Sequence, residues 1–201
     1  MASLRGLFLA TGMPDRDWWE TLWRDPAEVL RSLGLKPGMA AVDLCCGDGW
    51  FTLAMARIAG HTLAIDMDAT LLEAARRRVE ESGPANCRFF KGDARDITKL
   101  VPEPVDFVLL ANVFHGVPDK VSLSREVGSV LRPGGLLVIL NWHARPREET
   151  QVLGRPRGPA TELRMAPEAV RQAVEPAGLA WVRTVELPPY HYGITFARTA
   201  A

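Results

Sequence analysis

Apolar and polar positions along this chain alternate between two periods. Short apolar runs at 39–44, 62–66, 87–90, 105–111 and 135–142 read as strands. Between them the apolar spacing widens to that of an amphipathic helix, predicting helices over 49–59, 69–81 and 120–131. Strands that alternate with helices imply crossover connections, and so a parallel sheet with helices on both faces.

Both ends depart from this rhythm. Residues 13–23 read as a helix with an N-terminal Pro and Asp and with Trp19 and Trp23 four apart. Asp25-Pro26 then starts a second helix that Gly34 ends. Near the C-terminus, 167–177 is helical, while 179–187 and 193–199 read as two strands separated only by Pro188-Pro189-Tyr190-His191-Tyr192. So short a connection cannot cross over, and the pair must be antiparallel. The stretch 143–164 is rich in Pro, Gly and Arg, has no period and reads as one long loop of the kind that forms lids.

Composition narrows the class. At 201 residues and 47% hydrophobic content, the chain suits one soluble α/β domain, with 1–36 as an N-terminal helical cover and 37–201 as the main body. Lys plus Arg equals Asp plus Glu, 24 against 24, so no global field draws nucleic acid or an anionic membrane. Three cysteines, with Cys45 and Cys46 adjacent, are no disulfide framework and suit a reducing compartment. In residues 1–12 the apolar core is only 7–10, short of a secretory segment and of the ~20 residues of a membrane helix. A cytoplasmic protein, monomeric or homodimeric, is the expectation.

The chemistry concentrates where the predicted strands end. The first runs into Asp43-Leu44-Cys45-Cys46-Gly47-Asp48-Gly49, with a helix immediately after. Glycines there let a ligand approach the backbone, and the helix start offers free N–H groups. A dinucleotide fingerprint needs a third glycine where this chain has Thr52, which argues against a nicotinamide oxidoreductase. The run instead resembles motif I of the class I S-adenosylmethionine-dependent methyltransferases, an acid followed by three alternating glycines, with Cys45 in place of the first glycine.

Further segments carry the resemblance through 38–142. Ala64-Ile65-Asp66 ends the second strand in an acid, and Gly92-Asp93-Ala94 follows the third. Asn112-Val113-Phe114-His115 follows the fourth, and Leu131-Arg132-Pro133-Gly134-Gly135 enters the fifth. The resemblance implies a three-layer Rossmann-like α/β fold: a mostly parallel seven-stranded sheet with one antiparallel strand near the C-terminus. It also implies S-adenosyl-L-methionine as cofactor. Asp43, Cys45, Gly47 and Gly49 would line its methionine part and Asp66 its ribose. Met67, Asp93 and Ala94 would hold the adenine, and Asn112 the methionine end.

For the acceptor, His115, His143, Tyr190 and His191 fall in loops at the carboxyl edge of the sheet, where ligands of open α/β folds bind. His115 and His143 are the leading candidates for a base. His61 lies at the opposite edge. No short His/Cys ligand spacing points to a metal. The adjacent thiols leave a thiol or other thiophilic acceptor open beside simple packing. Trp18, Trp19 and Trp23 either cover an apolar acceptor or anchor their helix. The loop arginines Arg145, Arg147, Arg155 and Arg157 either meet an acceptor anion or stay solvated, and 76–78 reads as a solvated arginine face. Pro188-Pro189-Tyr190 resembles the motif of enzymes that methylate base nitrogens, but theirs follows strand four. With the neutral charge, this leaves a small molecule as the expected acceptor, and a non-catalytic cofactor-binding sensor as the alternative.

Overall fold

The computed structural model describes residues 8–199, so the first seven residues, including the start of the apolar run 7–10, lie outside the described part. Helices α1 (Arg16–Leu22) and α2 (Pro26–Ser32) precede β1 (Ala40–Leu44), α3 (Trp50–Ile58), β2 (His61–Asp66), α4 (Ala69–Glu81) and β3 (Cys87–Lys91). A short α5 (Ile97–Leu100) leads to β4 (Val105–Ala111), α6 (Lys120–Val130) and β5 (Leu131–Trp142). A small hairpin, β6 (Gln151–Val152) and β7 (Arg155–Pro156), precedes α7 (Pro167–Val174), β8 (Leu179–Leu187) and β9 (His191–Arg198).

The main sheet has the order β3-β2-β1-β4-β5-β9-β8. All its neighbours are parallel except where β9 meets β5 and β8, so β9 is the antiparallel strand. Central β1 is buried at every position, as a strand covered on both faces must be. Val42 and Leu44 face a core shared with α5, α6 and α7, while Ala41 faces one shared with α1, α2 and α3. The N-terminal helices therefore belong to the sheet's own packing: Leu30 and Leu33 are fully buried against that second face, and a Cβ on Gly193 of β9 would stand 2.4 Å from the Leu33 side chain.

Local chemistry explains the helix starts. Asp25 accepts from the Glu28 amide at 2.9 Å ahead of Pro26, Asp68 from Thr70 and Leu71, and Asp119 from Ser122, each filling a free N–H of a first turn.

Four details differ from the sequence-based expectation. The loop at 143–164 contains the β6–β7 hairpin, and α5 is an added element. Strand β5 begins at Leu131, which pairs with Val105 before the ladder resumes at Leu136 and Phe107; Arg132–Gly135 bulges between, with Gly134 at φ +78°. Strand β9 begins at His191, in register with Trp142 and Leu187, so that histidine belongs to the ladder and not to the hairpin loop. No helix among the described residues is long and apolar enough to cross a membrane.

Candidate functional site

A cavity of about 710 Å³ opens at the carboxyl ends of β1, β2 and β4, the edge at which open α/β sheets bind ligands. Its floor is the turn after β1. Cys45, Gly47 and Gly49 all have left-handed φ, at +63°, +55° and +81°. Glycine adopts this freely, whereas a cysteine at such a φ costs about 1–2 kcal/mol, so Cys45 sits strained in a glycine's place. Gly49 has a second reason to be glycine: a Cβ there would meet the Ala75 backbone of α4 at 2.8 Å.

Two carboxylates brace that turn. Asp66, at the end of β2, accepts from the Gly47 amide at 2.8 Å and the Asp68 amide at 2.9 Å. Burial pushes its pKa up, and these N–H groups work against the rise. Asp43 is 1% exposed, faces α3 and accepts from the Thr52 hydroxyl at 2.6 Å. Burial pushes it to about 7, with the Asp66 and Asp48 charges adding to the effect. Thr52, the residue that breaks a dinucleotide pattern, is thus the partner Asp43 needs. Arg78 corrects the reading of 76–78 as wholly solvated. Its guanidinium donates to the Asp48 carboxylate at 2.5 Å and carbonyl at 3.0 Å and lies 5.1 Å over the Trp50 ring, while Arg76 and Arg77 pair with surface glutamates.

The remaining cofactor candidates lie along the same wall. Met67 is half-buried in it, and Ala94 is buried. Asp93 accepts from the Arg95 amide at 2.9 Å and carries the Arg95 guanidinium on both oxygens, which holds its carboxyl below the usual range. Asn112 follows β4 at φ +59° with both side-chain polar atoms buried and without a partner. Buried amide groups are rarely left so, which makes this the clearest position for a ligand's polar group.

A strap, residues 8–15, crosses the opening. The Leu9 amide donates to the Gly116 carbonyl at 3.3 Å, His115 Nε2 lies 3.2 Å from the Ala10 carbonyl, and Met13 reaches Gly47. The strap needs glycine at both ends: a Cβ at Gly116 would stand 2.1 Å from the Leu9 oxygen, and one at Gly47 2.8 Å from the Met13 sulfur. Beyond it Trp18, Trp19 and Trp142 form an aromatic end, with Trp18 5.7 Å from Trp19 and 6.5 Å from Trp142 between ring centroids. Trp23 instead packs on Phe51 in the core and anchors its helix, while Trp18 and Trp19 belong to the same core and also line the cavity.

Of the four acceptor-side candidates only His115 stands in the cavity wall. Its Nε2–H donates to Ala10, which leaves the lone pair on Nδ1, and burial lowers its pKa so that it is neutral at pH 7. His143 follows Trp142 and so points to the opposite face of the sheet; its Nε2 meets Glu186 at 2.8 Å and its ring faces Tyr192. His191 is 2% exposed, wedged between Trp23 at 4.6 Å and Trp142 at 4.1 Å, and burial pushes its pKa well down. Tyr190 stacks on Trp142 and donates to the Gln151 carbonyl at 2.9 Å. His191 and Tyr190 lie behind Trp142, so the expected rim of histidines is not formed.

The thiols of Cys45 and Cys46 are raised by burial and by the neighbouring carboxylates, so both stay protonated at neutral pH. Among the described residues no group of three or more His, Cys, Asp or Glu side chains is arranged to hold a metal. Of the four loop arginines, Arg147 and Arg157 reach the cavity, together with 158–160 of the β6–β7 hairpin.

The family model of the methyltransferase domain matches residues 41–135. Curated relatives include the demethylmenaquinone methyltransferase of Staphylococcus saprophyticus, 29% identical over 121 residues, which are 59% of this chain and 50% of the relative. That of Bacillus subtilis is 28% identical over 121 residues, covering 59% and 51%. The chain thus matches about half the length of these relatives. Among solved structures, a SAM-dependent methyltransferase from Aquifex aeolicus superposes with a TM-score of 0.77 at 26% identity, covering 92% of this chain and 94% of that one. The N-methyltransferase NodS from Bradyrhizobium japonicum, in complex with S-adenosyl-l-homocysteine, shares the fold at TM-score 0.72 and 16% identity, over 93% and 94%.

The buried Asp43 carboxyl sets a pH-dependent stability. It titrates near 7 when folded against 3.8 otherwise, so between these values the folded chain holds a proton that the unfolded chain has lost. The penalty therefore grows as pH rises from about 4 to about 7 and is constant above. Asp43→Asn keeps an oxygen for Thr52 and abolishes the titration. Its melting temperature should exceed the parent's by a few degrees at pH 8, with the difference closing toward pH 4; an offset that does not vary with pH contradicts the assignment.

Proposed function

We propose that this chain, which belongs to the class I S-adenosylmethionine-dependent methyltransferases, transfers a methyl group to a small-molecule acceptor seated in the aromatic end of its cavity. The observation that carries the proposal is the division of one cavity into two unlike ends. An acidic end holds Asp43, Asp66 and Asp93 beside the unpartnered Asn112, and an apolar end holds Trp18, Trp19 and Trp142 under the strap.

The acidic end fits the cofactor. Each Asp66 oxygen accepts one backbone N–H and keeps a lone pair for a ribose hydroxyl. Asn112 has a donor and an acceptor to spare for the methionine end. Asp93 and Ala94 would meet the adenine edge and Met67 its face, with Asp93 shared between the ligand and Arg95. Asp43, Cys45, Gly47 and Gly49 form the floor. The acidic charge favours a cationic ligand. Bound S-adenosylmethionine supplies an electrophilic methyl carbon, and the protein's remaining task is alignment and exclusion of water. Trp18, Trp19 and the strap provide the exclusion. His115, neutral in the cavity wall with its Nδ1 lone pair buried and unpartnered, is the candidate to take the proton of an acceptor that reaches that atom. A thiophilic acceptor draws no support from Cys45 and Cys46, whose thiols stay protonated.

Binding and turnover measurements test this. Asp66→Ala should weaken S-adenosylhomocysteine binding by at least about 1.5 kcal/mol, the scale of hydrogen bonds to a charged group. Calorimetry that finds unchanged affinity removes Asp66 from the ribose. For turnover, labelled cofactor is offered with pooled phenols, amines and carboxylates in one reaction and pooled small thiols and metalloids in another. Product is expected in the first pool; cofactor binding without product in either favours the sensor. On the acceptor so found, His115→Gln keeps a donor for Ala10 but takes no proton, and should lower kcat by about 10²–10⁴ while leaving cofactor affinity within about twofold. Because burial lowers the His115 pKa, the parent's rate should fall only at a pH more acidic than the ordinary imidazole titration, and this fall should be absent from the variant's profile. An unchanged kcat in the variant returns His115 to anchoring the strap.

A further inference from the structure

We propose that the acceptor is an aromatic carboxylic acid, whose ring lies against Trp18 and Trp142 and whose carboxylate is received by Arg147 and Arg157; this rests on the reading of the cavity as a methyl-transfer site. The segment 147–164 around the β6–β7 hairpin carries three guanidiniums, those of Arg147, Arg157 and Arg164, with Glu148 a nearby carboxylate that is not in ion-pair contact with any of them among the described residues. Arg157 lies 5.2 Å over the Trp18 ring, with its side chain 19% exposed, and its Nε is buried without a partner. The one carboxylate near it is Asp15 of the strap, 81% exposed and 3.7 Å away, beyond hydrogen-bond distance. Arg147 donates from Nε to the Gly158 carbonyl at 3.0 Å; among the described residues its terminal amino groups meet no acceptor and no carboxylate pairs with it.

The third guanidinium shows that the arrangement is built. Arg164 is 7% exposed and forms the core of the hairpin, donating to the Pro159 carbonyl at 3.1 Å and to Thr150 Oγ1 and the Arg157 carbonyl at 2.9 Å each. It lies 5.0 Å over Trp142 and has no carboxylate partner among the described residues; burial and the Arg147 charge push its pKa down. Arg164 is therefore a positioning residue: its bonds fix the backbone that carries Arg157 and Gly158. Gly158, at φ +87°, lies so close to Trp142 that a Cβ would meet the indole at 2.8 Å. The result is a ladder of Arg157, Trp18, Trp142 and Arg164, of which the first three line the cavity's apolar end and Arg164 lies buried behind Trp142.

Arg157 is half-buried and Arg164 buried, and guanidiniums so placed are ordinarily paired because their desolvation is costly, whereas Arg147 is exposed at the cavity's edge. A planar carboxylate matches the guanidinium fork and would offset the like charges, while the indoles bind the attached ring. The opposite end of the cavity carries Asp43, Asp66 and Asp93 and repels the same anion, so the acceptor's charge also sets its orientation.

The test titrates the full-length chain, with and without saturating S-adenosylhomocysteine, with 2-hydroxybenzoate, 4-hydroxybenzoate and 1-hydroxy-2-naphthoate and with the corresponding neutral amides. At low salt at least one acid should bind ten times or more tighter than its amide, and added salt should shrink that margin. In the double variant Arg147→Gln/Arg157→Gln the margin should fall to within twofold, with amide and S-adenosylhomocysteine affinities unchanged. The proposal is overturned if no acid outbinds its amide by more than twofold, or if the double variant weakens acid and amide alike. The two readings separate in the same data. Cofactor-product binding without acid preference sinks only the acceptor assignment, whereas acid preference without cofactor-product binding keeps the anion site and sinks methyl transfer.

Discussion

The site depends on one carboxylate. Asp66 ends β2, yet its two oxygens are taken by the Gly47 amide of the turn after β1 and the Asp68 amide of its own turn. With the Cys46 amide on the Ile65 carbonyl at 3.0 Å, this ties two adjacent strand ends into a single floor. Burying such a group costs several kcal/mol unless its lone pairs are met, and here backbone N–H groups meet them. Asp43 lies beneath it under the same constraint, met by Thr52 alone, and its raised pKa is the unpaid part of that cost. A cationic ligand above the two relieves both.

Two segments close over that floor from opposite sides. The strap crosses at Gly47 and Gly116, where the missing Cβ atoms let backbone and sulfur approach, and His115 holds its middle through the Ala10 carbonyl. The hairpin closes the other side through Arg164 and the contact of Gly158 with Trp142. Between strap and hairpin side, Asp15 stands 3.7 Å from Arg157, a long pair whose carboxylate is exposed and which contributes little energy.

Much of this was legible in the residues alone. The alternation of strands and helices and the antiparallel pairing of the last two strands follow from period and from the shortness of the segment between them, the seven-stranded sheet was implied by the family resemblance, and the acids ending β1 and β2 announced the floor. What escaped has physical causes. His191 sits in a stretch rich in Pro and Tyr that reads as a turn, and only its pairing with Trp142 makes it a strand residue. The direction of His143 depends on alternation along β5, which swaps with a one-residue change of register. The β6–β7 hairpin has strands of two residues each, too short for any period, and is organised by Arg164, a buried charge that composition reads as solvated. The strap is held through carbonyls and absent side chains, which leave no pattern of their own. Arg78 looked like its neighbours Arg76 and Arg77 because its partner, Asp48, is thirty positions away.

The central claim is that this floor receives S-adenosylmethionine and not a dinucleotide. Calorimetric titration of the chain with S-adenosylhomocysteine, and separately with NAD, tests it most directly. The account predicts one S-adenosylhomocysteine site per chain and no heat from NAD. Binding of NAD alone, or of neither, contradicts it.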